Sequence, residues 1–200
     1  MSNIFIISAP SGCGKTSLVR DISRIYDFLE LTISCTTRKM RKGEIDGIDY
    51  HFVDQATFKA KINNREFIEH ELVYDNYYGT TYNSIRNIVN SGNDAILEID
   101  HKGMIKIKKQ IPSAISIYIL PPTLKELKNR LIDRGLDTKE VINKRISNAE
   151  NELKFSRFSD FTIVNDDYDI ALSSLKSLIL YQKIFQNTTI SRLNSYFESC

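Results

Sequence analysis

The stretch SAPSGCGKTS, residues 8–17, follows directly on the apolar run IFII and constrains the fold more than any other part of the chain. An apolar run, a loop of small residues and glycines, and then Leu18, Val19, Ile22, Ile25 and Tyr26 at helical spacing read as a buried strand, a tight loop and a helix. Glycines let such a loop curl until successive backbone N–H groups point inward, and the helix start adds the positive end of its dipole. Together they hold phosphate oxygens. Lys15 then reaches the outer phosphates and the Thr16 hydroxyl ligates Mg²⁺. The usual spacing is G-x-x-x-x-G-K-[ST], and Ala9 stands at the first glycine. The alternative is a glycine-rich turn with a solvated lysine; the strand-loop-helix setting favours the phosphate reading.

The rest of the chain suits that beginning. Two hundred residues, 42% hydrophobic and 26% charged, make one compact unit or one core with small inserted lobes. A formal net charge of +2 creates no global field calling for nucleic acid or an anionic membrane. Cys13, Cys35 and Cys200 have neither metal-ligand spacing nor an even count, so a reduced, cytoplasmic setting is expected. IFII is too short for a signal core and has no cationic stretch ahead of it, no apolar segment is long enough to span a bilayer, and the glycosylation pattern NTT at 187–189 is a coincidence.

Apolar runs recur as LTIS (31–34), AILEI (95–99), AISIYIL (114–120) and FTIV (161–164). Continuous rather than alternating hydrophobicity suits a parallel sheet covered by helices on both faces. Helices are expected over 84–91, 123–134, 138–154 and 169–185. Residues 34–83 are more polar, with β-like pieces YHFV and EFIEHELVY and a helix beginning near Asp54, and read as a small inserted lobe. Residues 121–154 read as a second, helical and arginine-bearing insertion, which leaves 1–33, 84–120 and 155–183 as the core.

The segment SCTTRKMRKGEIDGIDYHF (34–52) carries Arg38, Arg41 and Tyr50. Arginine forks suit bidentate contact with a phosphate and a tyrosine hydroxyl completes the shell, yet a run such as RKMRK is also the pattern of a solvated loop. EHELVYDNYYGTTY (69–82) sets Glu69 ahead of Tyr78, Gly79 and Thr80. A buried carboxylate only accepts, so it selects the guanine edge, which offers N1–H and N2–H₂, over adenine, whose N1 presents a lone pair.

In order along the chain, SAPSGCGKTSL, TTRKMRKGEIDGIDYHF, NYYGTTY, EIDHKG, PPTLKELKNRL, RGLDTKEVINKR and IVNDD resemble the guanylate kinases from residue 3 to about 183. The resemblance implies a P-loop NTPase-like α/β fold, with a parallel sheet flanked by helices, a GMP-binding lobe and a helical lid. It implies transfer of the γ-phosphoryl group of ATP to GMP, or dGMP, with Mg²⁺. By the same resemblance, the loop from Ala9 through Pro10, Ser11, Gly12, Cys13, Gly14, Lys15 and Thr16 to Ser17 holds ATP, with Asn165 at the adenine. Ser34, Glu69 and Thr80 hold guanine; Arg38, Arg41, Tyr50 and Tyr78 hold the GMP phosphate, with Gly79 beside them; Glu98 and Asp100 lie near substrate and the hydrated metal. For Glu98 a solvated strand end is the other reading. Arg130, Arg134 and Arg145 join Lys15 and Arg38 as the catalytic cations, although Arg130 and Arg134 could instead pair with Glu126 or Asp133. Asp166 and Asp167 are candidates to cap the last helix, and Gly79 and Gly135 to act as hinges. His101 and Lys102 stand where such chains often have an aromatic or methionine and a glutamine. Residues 184–200 extend beyond the resemblance, with Ile190, Leu193 and Phe197 hinting at an amphipathic helix whose docking surface, core or second subunit, is open. Two rivals remain: a non-catalytic binding module of the same fold, which usually lacks part of this loop and arginine set, and a kinase with another acceptor.

Overall fold

The computed structural model describes residues 2–73, 75–133 and 139–188, with the backbone alone at 139–141, 144 and 186–188. Arg134, Gly135 and residues 189–200, to which roles were assigned above, lie outside the described residues.

Five parallel strands make the central sheet: β1 (Ile4–Ser8), β2 (Leu29–Leu31), β7 (Asp94–Glu98), β8 (Ile115–Leu120) and β9 (Phe161–Val164), in the spatial order β2-β7-β1-β8-β9. Their apolar continuity has a direct cause. Phe5, Ile7, Ile96, Ile117 and Ile119 point to one face, against α1 (Lys15–Ile25), α5 (Leu124–Asp133), α6 (Lys139–Leu153) and α7 (Tyr168–Thr188). Ile6, Ala95, Leu97 and Tyr118 point to the other, against α3 (Tyr82–Asn90) and α4 (His101–Gln110). Alternation by two with both faces covered gives an unbroken apolar run.

The second sheet lies wholly within residues 35–81, in the order β4-β3-β6-β5, with β3 (Cys35–Thr36), β4 (His51–Phe52), β5 (Phe67–Val73) and β6 (Asn76–Thr81). Helix α2 (Gln55–Asn63), capped by Asp54 accepting from Thr57 N at 2.6 Å, packs Phe58 against Phe67 and Tyr77. The run LTIS, expected as one strand, is instead divided. β2 begins at Leu29 and ends at Leu31; Thr32, buried, keeps its N–H on Ile96 O of β7 at 2.9 Å; Cys35 and Thr36 then join the other sheet. Helix α3 begins two residues before the expected start, at Tyr82, because Thr81 caps it through Ser84 N at 3.1 Å. Gly79, the hinge candidate, is packed as part of a sheet. It lies within β6, paired with both neighbours, where a Cβ would meet Phe67 Cδ1 at 2.9 Å and Glu69 O at 3.0 Å.

One buried ion pair ties α7 to the sheet. Asp94, 0% exposed, accepts from Asn3 N at 2.8 Å, Asn3 Nδ2 at 3.2 Å and Lys183 Nζ at 2.9 Å, and Lys183 also lies over the Phe28 ring. Removing one partner leaves the other charge buried and uncompensated, so Lys183→Met is expected to destabilise the fold by about 3 kcal/mol. The measurement is the unfolding midpoint in urea; an unchanged midpoint would remove this pair from the account of stability.

Candidate active site

The strand order reverses at β1, whose neighbours β7 and β8 are reached in opposite directions, and open α/β sheets hold ligands beyond the carboxyl ends of strands at such a point. The loop at residues 9–14 emerges there. Its shape is imposed from both sides. Gly12 has φ +95° and faces α5, where a Cβ would meet Leu131 Cδ2 at 2.9 Å; Gly14 has φ +84°, and a Cβ there would meet Asn165 Nδ2 at 2.4 Å. L-residues with a side chain rarely adopt these angles, and the neighbours leave no room for one. Helices α2, α3 and α4 start with a side-chain cap, from Asp54, Thr81 and Asp100. Helix α1 has no side-chain cap and no acidic residue in its first turn, the arrangement that suits an anion.

Two cavities meet at this point. The larger, about 540 Å³, is lined by the loop from Ala9 to Ser17 together with Arg41, Arg130 and Arg145. The smaller, about 170 Å³, is lined by Ser34, Glu69, Gly79 and Glu98 among others. Lys15, Tyr50, Val73, Tyr78 and Asp100 line both, so the two cavities share a wall. Lys15 Nζ donates to Ile99 O at 3.0 Å and lies 3.8 Å from Glu98 Oε1. Thr16 Oγ1 donates to Glu98 Oε1, and Asp100 accepts from Gly103 N at 2.8 Å as the α4 cap.

Glu69 is 6% exposed, with Oε1 accepting from Thr80 N at 2.8 Å, while Ser34 Oγ and Thr80 Oγ1 lie 3.0 Å apart beside it. Burial pushes the Glu69 carboxyl up to about 7; Thr80 hydrogen bonds oppose this and the charge of Asp100 adds to it. Burial likewise pushes the Tyr50 hydroxyl up to about 12, which leaves it a neutral donor at neutral pH. The Tyr50 and Tyr78 rings pack edge to face at 5.9 Å.

Arg38 is not among the residues lining either cavity. Its guanidinium makes two hydrogen bonds to Glu44, at 2.7 and 3.0 Å, and lies over the Tyr50 and Phe52 rings. Arg41 is exposed at the rim, its backbone N–H on Glu44 Oε2 at 2.7 Å. Glu44 therefore organises the basic loop, and sequence reasoning missed it although it lies within RKGEIDG. Arg130 divides its donors between Glu126 at 3.2 Å and the backbone oxygens of Asn165 and Asp166, at 2.8 and 3.3 Å. Asn165, 4% exposed, spends its Nδ2 on Cys13 O at 2.8 Å and so lies behind the loop. Of the two candidate caps, Asp167 takes the role by accepting from Ile170 N at 2.9 Å.

Sequence reasoning also missed Glu152, which enters the larger cavity from the end of α6. Burial raises its carboxyl above the usual range, Asp100 adds to the rise, and Lys15 and the Ser11 N–H oppose it. No acidic signature in the local sequence distinguishes it, since its neighbours are brought together only by the fold.

The family model of guanylate kinase matches residues 1–182. A guanylate kinase of Hydrogenovibrio crunogenus is 45% identical over 178 residues, covering 89% of this chain and 87% of the relative. One from Chromobacterium violaceum is 42% identical over 197 residues, covering 98% and 94%. The crystal structure of guanylate kinase from Anaplasma phagocytophilum superposes with a TM-score of 0.75 at 28% identity, over 90% of this chain and 86% of that one. With an uncapped loop opening onto one cavity and a buried carboxylate at the end of the next, the chain belongs to the guanylate kinase family.

Proposed function

We infer that the protein is an ATP:GMP phosphotransferase, forming ADP and GDP, with dGMP as a second acceptor. The observation that carries this is the shared wall of the two cavities. A triphosphate on the glycine loop and a mononucleotide whose base reaches Glu69 would meet at Lys15, Tyr50, Tyr78 and Asp100.

Phosphoryl transfer asks little covalent work of a protein; positioning and charge neutralisation supply most of the acceleration. The uncapped amides at the start of α1 and Lys15 hold the ATP phosphates. Asn165 braces the loop through Cys13 O, and by the family resemblance adenine lies on its side of the loop. Glu69 accepts from guanine N1–H and N2–H₂, with Ser34 and Thr80 at the same end. Arg41, Tyr50 and Tyr78 hold the GMP phosphate. Arg38 joins them by exchanging Glu44 for phosphate oxygens, a swap of one bidentate anion for another. Arg130 and Arg145, and Arg134 from outside the described residues, close over the transferring group and exclude water. In this reading residues 34–83 act as the acceptor lobe and 121–154 as the lid.

The donor set at the wall is oxygen from Thr16, Glu98 and Asp100, which fits a hard cation that keeps most of its waters. Thr16 would hold Mg²⁺ directly and the two carboxylates through water. When bound, it neutralises charge on the β- and γ-phosphates.

A coupled ADP-release assay with GMP, dGMP, AMP, UMP and dTMP tests the reading. GMP is expected to be the preferred acceptor, and chelation with EDTA to lower turnover by at least ~100-fold, the scale of losing one preorganised charge contact. Equal turnover of AMP and GMP would refute the acceptor assignment; full turnover in EDTA would refute the metal.

A further inference from the structure

We propose that Glu71 reads the ribose of the acceptor nucleotide, accepting hydrogen bonds from its hydroxyls and so ranking GMP above dGMP. This rests on the GMP reading above.

In the antiparallel pair β5–β6, Glu69 lies opposite Thr80 and Glu71 opposite Tyr78. Residues two apart on a strand share a face and stand about 7 Å apart. Glu69 and Thr80 form the base end of the cavity, and Tyr78 with Tyr50 begins the phosphate end. Glu71 lines the same cavity beside Tyr78 and two residues along the strand from Glu69, within reach of the ribose of a nucleotide whose base meets Glu69.

The other carboxylates lining the cavity have partners that fix them to its walls. Glu69 accepts from Thr80 N, Glu98 from Thr16 Oγ1 and Asp100 from Gly103 N. Glu71 is met by two flexible lysine side chains of α4: Lys106 Nζ donates to Oε1, and Lys102 Nζ lies 3.8 Å from Oε2. Both lysines are about half exposed, whereas the Glu71 side chain is 18% exposed. Lys106 is further fixed by donating to His70 O at 3.0 Å. The lysines face its two oxygens from the α4 side, while the residue itself lines the cavity. A carboxylate accepting from ribose hydroxyls is the arrangement by which dinucleotide folds recognise the same sugar.

The test is the ratio of kcat/KM for GMP over dGMP, with 3′-deoxy-GMP as a third acceptor, in the wild type, Glu71→Ala and Glu71→Gln. Because each ratio is taken within one preparation, it does not depend on how much of a variant is folded. A hydrogen bond to a charged group predicts a wild-type ratio of ~10 or more, falling below ~3 in Glu71→Ala. Glu71→Gln, which keeps an acceptor oxygen, is expected to lie between. A larger loss with the 2′-deoxy or the 3′-deoxy acceptor tells which hydroxyl is read. A wild-type ratio near one, or a ratio unchanged in both variants, overturns the proposal. Absence of GMP turnover would strike the phosphotransfer reading instead, and the same ratio is then read from dissociation constants by calorimetry.

Discussion

GMP is expected to be phosphorylated with a kcat/KM at least ~1,000-fold above that of AMP, because the base end of the acceptor cavity is built around one buried acceptor. Glu69 has one oxygen on Thr80 N at 2.8 Å, and its other oxygen lies where a Cβ on Gly103 would approach to 3.0 Å. An ionised Glu69 would face the lone pair of adenine N1 with no proton to share, whereas guanine offers it two donors. Glu69→Ala is expected to lower kcat/KM for GMP by at least ~100-fold while changing AMP by only a few-fold. The pH dependence has a definite sign. In the free protein the carboxyl holds its proton up to about 7, yet guanine needs the ionised form. GMP therefore binds more weakly as pH falls below that value. The stability contribution runs in the same window. The folded value is raised above the ordinary 4.5, so this group favours the unliganded fold most below 4.5, and the contribution is lost as pH rises to about 7. Glu69→Gln should remove both dependences while leaving the titration of the nucleotide's own phosphate in place. A GMP profile that is the same in wild type and Glu69→Gln would show that another group controls binding.

Lys15→Ala is expected to lower turnover by at least ~100-fold. In the unliganded state the ammonium rests on Ile99 O, with Glu98 3.8 Å away, at the wall shared by the two cavities. Loss of this contact acts on the transition state, so the effect should fall on kcat more than on the KM for GMP. The melting temperature serves as the control, because the lysine lies in the cleft rather than in the core. Unchanged turnover would remove Lys15 from the mechanism.

How much of this was legible in the sequence depended on how local the cause was. The glycine loop could be read because strand, loop and helix are contiguous, and Glu69 because it stands just ahead of Tyr78, Gly79 and Thr80. The start of a helix near Asp54 was legible too, since its cap lies within the same few residues. The segment NYYGTT was not legible as a strand: its asparagine and glycine suggest a turn, and only pairing with β5 and β3 on both sides makes it the centre of a sheet. LTIS misled because an apolar run does not reveal that one strand ends at Leu31 before Cys35 enters another sheet. Glu44, Glu71 and Glu152 were invisible as parts of the site, since each acquires its meaning from partners on other elements or across a loop. Arg38 shows the complementary limit: its residue type suits a phosphate, but its resting partner is a carboxylate six positions away.

The bond from Asn165 to Cys13, which spans 152 positions, has a consequence for biosynthesis. The glycine turn is translated well before β9, yet the amide that wedges against it lies just past that strand. Nascent chains shorter than about that strand should therefore fail to retain a triphosphate, whatever their helix content. Nucleotide capture would then report that β9 has docked.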